Sequence, residues 1–190
     1  MIKKFLFKLT NKMYWKLLPT VSKILFLSHG LLKINPIMNN KTSNNLKTYE
    51  DNFKNSVSLN NQEIIKNRTY SEFKPDFKFI EDIAFTLVNV IKDKKNSYIH
   101  GYLLSSYLKR YVSNASKEDK TLKSLNILDI GTARGFSSLC MAKVLDDYKM
   151  PGKIFTFDVL PNRMDFFWNS PSDILDGKIS RLNLLKKWQK

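Results

Sequence analysis

The sequence of 190 residues contains few of the residues that bind metals or form disulfides. A single cysteine, Cys140, excludes an internal disulfide and a metal cluster built from cysteines. The two histidines, His29 and His100, lie far apart with no acid or thiol at ligand spacing, so we expect no metal site. One free thiol is typical of a reducing compartment, and we predict a cytoplasmic location.

Long apolar runs are also absent. The longest uncharged apolar-rich run covers residues 24–32, which is nine residues. A helix needs about 20 to cross a bilayer. The basic start does not form a signal peptide, because Lys8, Lys12 and Lys16 interrupt its core and no small-residue cleavage site follows cleanly. We therefore predict neither a transmembrane helix nor a signal peptide.

Positive charge is plentiful but unevenly placed. The net charge is +15, and residues 1–49 hold nine lysines and no acid, which leaves +6 for the rest. Within residues 1–33 the apolar and basic positions recur on different faces of a helix, so this basic arm is predicted to be amphipathic. Two partners stay open for it: the surface of an anionic membrane, and a protein surface on this chain or on another. The apolar positions are Phe5, Leu6, Leu9, Met13 and Leu17, and the basic ones are Lys4, Lys8 and Lys12.

Arginine is scarce, since the chain has only five. Recognition of phosphates and base edges favours arginine for its bidentate fork. No zinc-finger pattern or RNA-binding aromatic strand accompanies the lysines. We do not expect a nucleic-acid partner.

Residues 34–75 are rich in asparagine and show little sustained apolar periodicity, which predicts a connector in which short helical turns are possible. Residues 76–190 are predicted to form the main domain. Apolar residues at helical spacing predict helices over 77–92, 98–112 and 178–188.

Two short apolar segments predict a parallel sheet. "LNILDI" (125–130) and "IFTFDV" (154–159) have the apolar character of buried parallel strands. The helical pattern of residues 136–148 lies between them. The fold class is therefore predicted to be α/β, with one βαβ unit preceded by helices and the basic arm.

A glycine turn follows the first of these strands. Asp129 lies at the strand end, and Gly131 and Gly135 follow it. In parallel sheets ligands bind beyond the carboxyl ends of the strands, and glycine lets the backbone approach them closely. Asp158 lies 23 residues after Gly135, where a carboxylate can accept both hydroxyls of a ribose. The spacing predicts a nucleoside-containing cofactor.

The turn departs from the dinucleotide pattern G-x-G-x-x-G. Ala133 stands at the middle glycine position, and Phe136 stands at the third. The lysine of a phosphate-binding P-loop is missing too. A dinucleotide such as NAD is therefore disfavoured.

"ILDIGTARGFSS" resembles motif I of class I S-adenosylmethionine-dependent methyltransferases, and "FTFDVLP" resembles their second motif. "FFWNSP" (166–171) is similar to a Trp-Asn segment in a small-molecule subgroup of that family. Over residues 76–190 the resemblance implies a Rossmann-like doubly wound sheet, S-adenosylmethionine as cofactor, and a small-molecule or glycan-like methyl acceptor. The implied cofactor contacts are Asp129, Gly131, Thr132, Ala133, Arg134, Gly135, Phe136, Asp158 and Val159. Asp158 would bind the ribose, whereas Asp129, Gly131, Ala133 and Gly135 would line the methionine end.

Several alternatives stay open. Arg134 either holds a carboxylate or is a solvated turn residue, and Trp168 lies either near the adenine or in the core. The family's sheet has seven strands, whereas this sequence predicts two, so either a partner supplies the missing half or the protein is truncated. We favour a truncated protein, and expect it to self-associate through uncovered apolar surface. The resemblance names no catalytic residue. The competing hypothesis is a non-catalytic module with a membrane- or partner-binding arm and a degenerate nucleotide-binding fold.

Overall fold

The computed structural model describes residues 45–66, 72–91, 96–118, 123–160, 162–165 and 167–188. These residues form six helices and two strands, and they confirm the α/β class in its general form. In chain order the elements are α1 (Leu46–Lys66), α2 (Phe77–Leu87), α3 (Ile99–Glu118), β1 (Leu125–Ile130), α4 (Phe136–Asp147), β2 (Gly152–Phe157), α5 (Ser172–Leu175) and α6 (Arg181–Lys186).

The two strands form a parallel sheet joined by α4, as the sequence predicts. The register runs from Leu125 opposite Gly152 to Ile130 opposite Phe157. The second strand ends at Phe157, two residues earlier than predicted. Asp158 turns the chain there, because its own carboxylate accepts the amide of Leu160 at 2.6 Å. Asp158 therefore lies immediately beyond the strand rather than in it.

The core lies between α4, α2 and α3. Gly101 lets α3 approach α4 closely, since a Cβ at this position would lie 2.5 Å from the ring of Phe136 and 2.8 Å from Sγ of Cys140. Burial of the apolar side chains in this core is the main contribution to the stability of the described part of the chain. The buried cluster comprises Ile80, Ile83, Ala84, Leu87, Tyr98, Phe136, Leu139, Cys140, Trp168, Ile179 and Leu184.

The other face of the sheet is open in the described part of the chain. Leu128 and Ile130 of β1 pair with Phe155 and Phe157 of β2, and all four side chains are exposed. Parallel sheets are usually covered on both faces. We call these four residues the open sheet face.

Helix α1 corrects the connector prediction over residues 46–66. It has 21 residues and occupies half of the predicted connector. One face of the helix is buried through Tyr49, Phe53 and Ile64, and buried polar contacts add to this packing. Asn60 donates to the carbonyl of Asn96 at 2.9 Å and accepts the amide of Tyr98 at 3.0 Å. The asparagines that suggested a connector hold this helix against the loop after α2.

Helix α2 starts where predicted and ends earlier. Asp76 caps its first turn by accepting the amide of Phe79 at 3.0 Å. The helix ends at Leu87 instead of residue 92. The amides of Val88 and Asn89 both bond to the carbonyl of Ala84, which closes the last turn.

The predicted helix over 178–188 is wrong in its extent. Ser180 has an extended backbone and accepts the amide of Asn183 at 3.3 Å through its hydroxyl, so it caps α6. Helix α6 therefore starts at Arg181, and the residues just before it are not helical. Helix α3, in contrast, runs beyond its predicted end to Glu118.

The basic arm, residues 1–33, lies outside the described residues, so its predicted amphipathic helix stays a prediction. Among the helices that the structure does describe, none has the length and apolar character needed to cross a membrane.

Candidate functional site

The turn between β1 and α4 is hydrogen-bonded to the end of β2. The amides of Gly131 and Thr132 both donate to the carbonyl of Phe157, at 2.8 and 3.4 Å. The backbone is left-handed at Gly131 (φ 79°), Ala133 (φ 47°) and Gly135 (φ 92°). Two of these positions hold glycine, which adopts this conformation without steric cost. The predicted turn therefore forms at the carboxyl end of both strands.

The two glycines have different surroundings. A Cβ added to Gly131 would meet no atom within 4 Å, and the residue is exposed. A Cβ added to Gly135 would overlap the side chain of Leu185 in α6. Gly135 therefore makes room for a helix of the protein itself, whereas Gly131 leaves room for a ligand.

Asp129 is buried at the end of β1, beside the first turn of α4. Ser137 donates to its Oδ2 at 3.0 Å, and Ser138 donates to the same oxygen. The position suits a carboxylate because the N-terminus of a helix carries partial positive charge. Serine hydroxyls are therefore hydrogen-bond partners of Asp129 in the structure.

Asp158 connects the two strand ends. Its Oδ2 accepts the amide of Ala133 at 2.6 Å, and its Oδ1 accepts the amide of Leu160 at 2.6 Å. The same Oδ1 lies 3.3 Å from a guanidinium nitrogen of Arg181, and the Asp158 side chain is 7% exposed. The Asp158 carboxylate thus fixes the left-handed turn through its hydrogen bond to the amide of Ala133.

Arg134 points into the protein, so it is not a solvated turn residue, which was one of its two predicted roles. The other role, holding a carboxylate, stays a prediction. Its Nε donates to the carbonyl of Trp168 at 3.0 Å, and its Nη1 donates to the carbonyl of Leu87 at 3.3 Å. Burial lowers the pKa of the Arg134 guanidinium to about 10. The side chain joins the turn to the end of α2 and to the segment before α5.

Trp168 lies in the core, which is one of its two predicted placements. Its side chain is 1% exposed, and its indole nitrogen donates to the carbonyl of Ile179 at 2.8 Å. The buried carboxylate of Asp173 accepts the amides of Trp168 and Asn169, both at 2.7 Å. Burial raises the pKa of Asp173, while these backbone amides oppose the rise. This Trp-Asn segment therefore has a structural role.

The remaining predicted cofactor contacts differ in their exposure to solvent. Thr132 and Phe136 are buried, at 2% and 5% exposure, and present no surface to a ligand. Val159 is 86% exposed. We define the turn surface as the exposed residues Gly131, Ala133 and Val159, with the carboxylate of Asp158 beneath them.

The sequence prediction missed Arg181, the ion-pair partner of Asp158. Its side chain is 4% exposed in this pair, although it is the first residue of a surface helix. Burial lowers its pKa, and the charge of Asp158 is the main opposing influence. No rule of sequence spacing relates an arginine to a carboxylate that follows a strand this far upstream in the chain. The sequence therefore carried no signal for the Asp158–Arg181 pair.

A cavity of about 530 Å³ lies between α4, β2 and α6. None of the predicted cofactor residues lines it, so it is separate from the turn surface. Its apolar walls include Leu139, Ile154, Leu182, Leu185 and Trp188. Over the described residues, no group of three or more histidine, cysteine, aspartate or glutamate side chains could hold a metal.

Comparison with known proteins gives no relative. No protein-family model, no curated protein and no solved structure matches this chain.

Proposed function

We propose that this protein binds S-adenosylmethionine as a methyltransferase and contains the first βαβ unit of a Rossmann-like doubly wound sheet. One observation carries the proposal. The open left-handed turn at Gly131 lies between two carboxylates, Asp129 and Asp158, each at the carboxyl end of one of two adjacent parallel strands.

The charge of the site favours a cationic ligand over a phosphate. Asp129 already occupies the start of α4, the place where a dinucleotide would put its pyrophosphate. A phosphate there would face the carboxylate of Asp129, whereas the charge of Asp158 is already paired with Arg181. A sulfonium or ammonium group about 4 Å from one carboxylate gains about 1–4 kcal/mol, depending on exposure. The electrostatics therefore support S-adenosylmethionine, which carries both cations, rather than a dinucleotide.

The residues of the turn surface fit the parts of such a ligand. Gly131 offers backbone without a side chain for the methionine end. Asp158 retains acceptor capacity on Oδ2 for a ribose hydroxyl. Val159 offers exposed apolar surface beside that carboxylate, suited to a base.

When bound, the cofactor supplies a methyl group on a sulfonium, which passes to a nucleophile and leaves a neutral thioether. The residues of this chain bind and orient the nucleoside, and positioning is the main contribution to such a transfer. We propose a small-molecule or glycan-like acceptor and a cytoplasmic location, in line with the motifs and the single thiol.

Calorimetry of the full chain with S-adenosylhomocysteine tests the proposal. We expect binding of one molecule per chain, and no binding of NAD. Asp158→Ala should abolish binding and the isosteric Asp158→Asn should weaken it, whereas Asp82→Ala, which removes an exposed carboxylate from α2, should leave it unchanged. Circular dichroism checks that each variant is folded. Absence of binding, or equal affinity in the Asp158 and Asp82 variants, would refute the proposal.

A further inference from the structure

Arg181 restricts what Asp158 can offer to a ligand. It is the first residue of α6, and only 3% of its surface is exposed. One guanidinium nitrogen donates to the carbonyl of Leu160 at 2.8 Å and lies 3.3 Å from Oδ1 of Asp158. Arg181 thus holds both the carboxylate and the chain that follows it.

The acceptor positions of Asp158 can be counted. A carboxylate has about two acceptor positions on each oxygen. On Oδ1 the amide of Leu160 uses one, and the guanidinium of Arg181 lies 3.3 Å from the same oxygen as an ion pair and restricts access to the other. On Oδ2 the amide of Ala133 uses one. Among the described residues nothing uses the fourth, so the carboxylate has room for one ligand hydroxyl.

The three existing partners are not readily displaced. If Asp158 turned away, the buried charge of Arg181 would lose its partner, and an unpaired buried charge is strongly unfavourable. If the amide of Ala133 were released, the turn would lose the contact that holds a non-glycine residue at φ 47°. A ribose with two vicinal hydroxyls therefore meets a carboxylate with one accessible acceptor position.

We propose that Arg181 is a positioning residue that determines specificity, because it limits Asp158 to one of the two ribose hydroxyls. The inference rests on the proposed function and narrows it. The site accepts adenine nucleosides whose ribose carries a single hydroxyl about as well as those that carry both, provided that the recognised hydroxyl is the one retained.

The test is calorimetry of the full chain with S-adenosylhomocysteine and with its 2′-deoxy and 3′-deoxy analogues. In the wild type we expect one analogue to bind about tenfold more weakly and the other within about twofold of the parent compound, since one hydrogen bond to a carboxylate is lost in one case only. Arg181→Met opens access to the second acceptor position on Oδ1, so both analogues should then bind about tenfold more weakly than the parent. Arg181→Lys keeps a donor and a charge at this place and should restore the wild-type pattern.

The ratio of each analogue's affinity to that of the parent compound separates this role from a purely structural one. A general loosening of the site would weaken the binding of all three ligands together. If both analogues bind weakly to the wild type, or if neither does, the inference is wrong while the proposed function stands. An Arg181→Met variant that folds normally and keeps the wild-type ratios also overturns it. If S-adenosylhomocysteine itself does not bind, both the inference and the proposed function fail.

Discussion

Replacement of Gly135 by alanine should destabilise the fold more than the same replacement at Gly131. Both residues have a positive φ, 92° and 79°. An L-residue in the left-handed region costs about 1–2 kcal/mol. The loss of chain entropy in the unfolded state offsets about 0.4–1 kcal/mol of this. Gly131→Ala should therefore cost about 1 kcal/mol, since its new Cβ meets no atom within 4 Å.

At Gly135 a second cost is added. The new Cβ overlaps the side chain of Leu185, which lies against the core. Overpacking of this kind costs about 1–3 kcal/mol. The total for Gly135→Ala is therefore about 2–4 kcal/mol.

Urea unfolding followed by circular dichroism measures both variants, and a double-mutant cycle isolates the overlap. In the Leu185→Ala background the Gly135→Ala change should cost about 1–3 kcal/mol less, because the clashing atoms are gone. In a thermal scan each kcal/mol corresponds to about 2–4 °C in Tm for a chain of this size. Equal costs at Gly131 and Gly135, or strict additivity with Leu185→Ala, would refute the assignment of Gly135 to helix packing.

Three further outcomes are expected. Asn60→Ala should cost about 2–4 kcal/mol in urea unfolding, because it removes one buried hydrogen bond within α1 and two to the segment between α2 and α3. Exposed Asn61→Ala should stay within about 0.5 kcal/mol, and equal effects would contradict the structural role of α1. Cys140 is 1% exposed and burial raises its pKa to about 12, so it should not react with Ellman's reagent at pH 8 until the protein is unfolded, and fast labelling of the native chain would contradict its burial. Leu128→Lys on the open sheet face should reduce self-association measured by light scattering. Leu175→Lys in α5, where the native side chain has the same 59% exposure, should not reduce it. If only the Leu175 variant associates less, the open sheet face is not the association surface.

The β1–turn–α4–β2 unit was predictable because its signals are local. An apolar run ending in Asp129 marks the first strand, and glycines mark the left-handed turn that the structure has at Gly131 and Gly135. Asp158 follows the second strand, and its position beside the turn follows from the parallel register. These features depend on neighbouring residues and on the alignment of strand ends, so the sequence was sufficient.

Helix α1 was not predictable in this way, because its stability depends on distant partners. Asn60 bonds to residues 36 and 38 positions further along the chain. An apolar stripe is visible in a sequence, whereas asparagines paired with a distant loop look the same as asparagines in a solvated connector. The polar composition therefore gave the wrong structure for residues 46–66.

Arg134 and Arg181 show the same limit within the site. Arg134 donates to carbonyls 34 and 47 residues away, and these belong to two different segments. Arg181 is buried because a strand-end carboxylate and a carbonyl meet its guanidinium. Whether an arginine is solvated or buried depends on such partners, and spacing in the sequence does not reveal them.

The most direct test of the central claim is calorimetry with S-adenosylhomocysteine on two matched variants, Gly131→Arg and Gly177→Arg. Both glycines have a positive φ, 79° and 69°, and at neither would a Cβ meet an atom within 4 Å. The two variants therefore add the same charge and similar backbone strain, and only the first places a side chain on the turn surface. If the turn holds the nucleoside, Gly131→Arg loses binding while Gly177→Arg keeps the wild-type affinity. Equal affinities in the two variants, or no binding by the wild type, would contradict the claim.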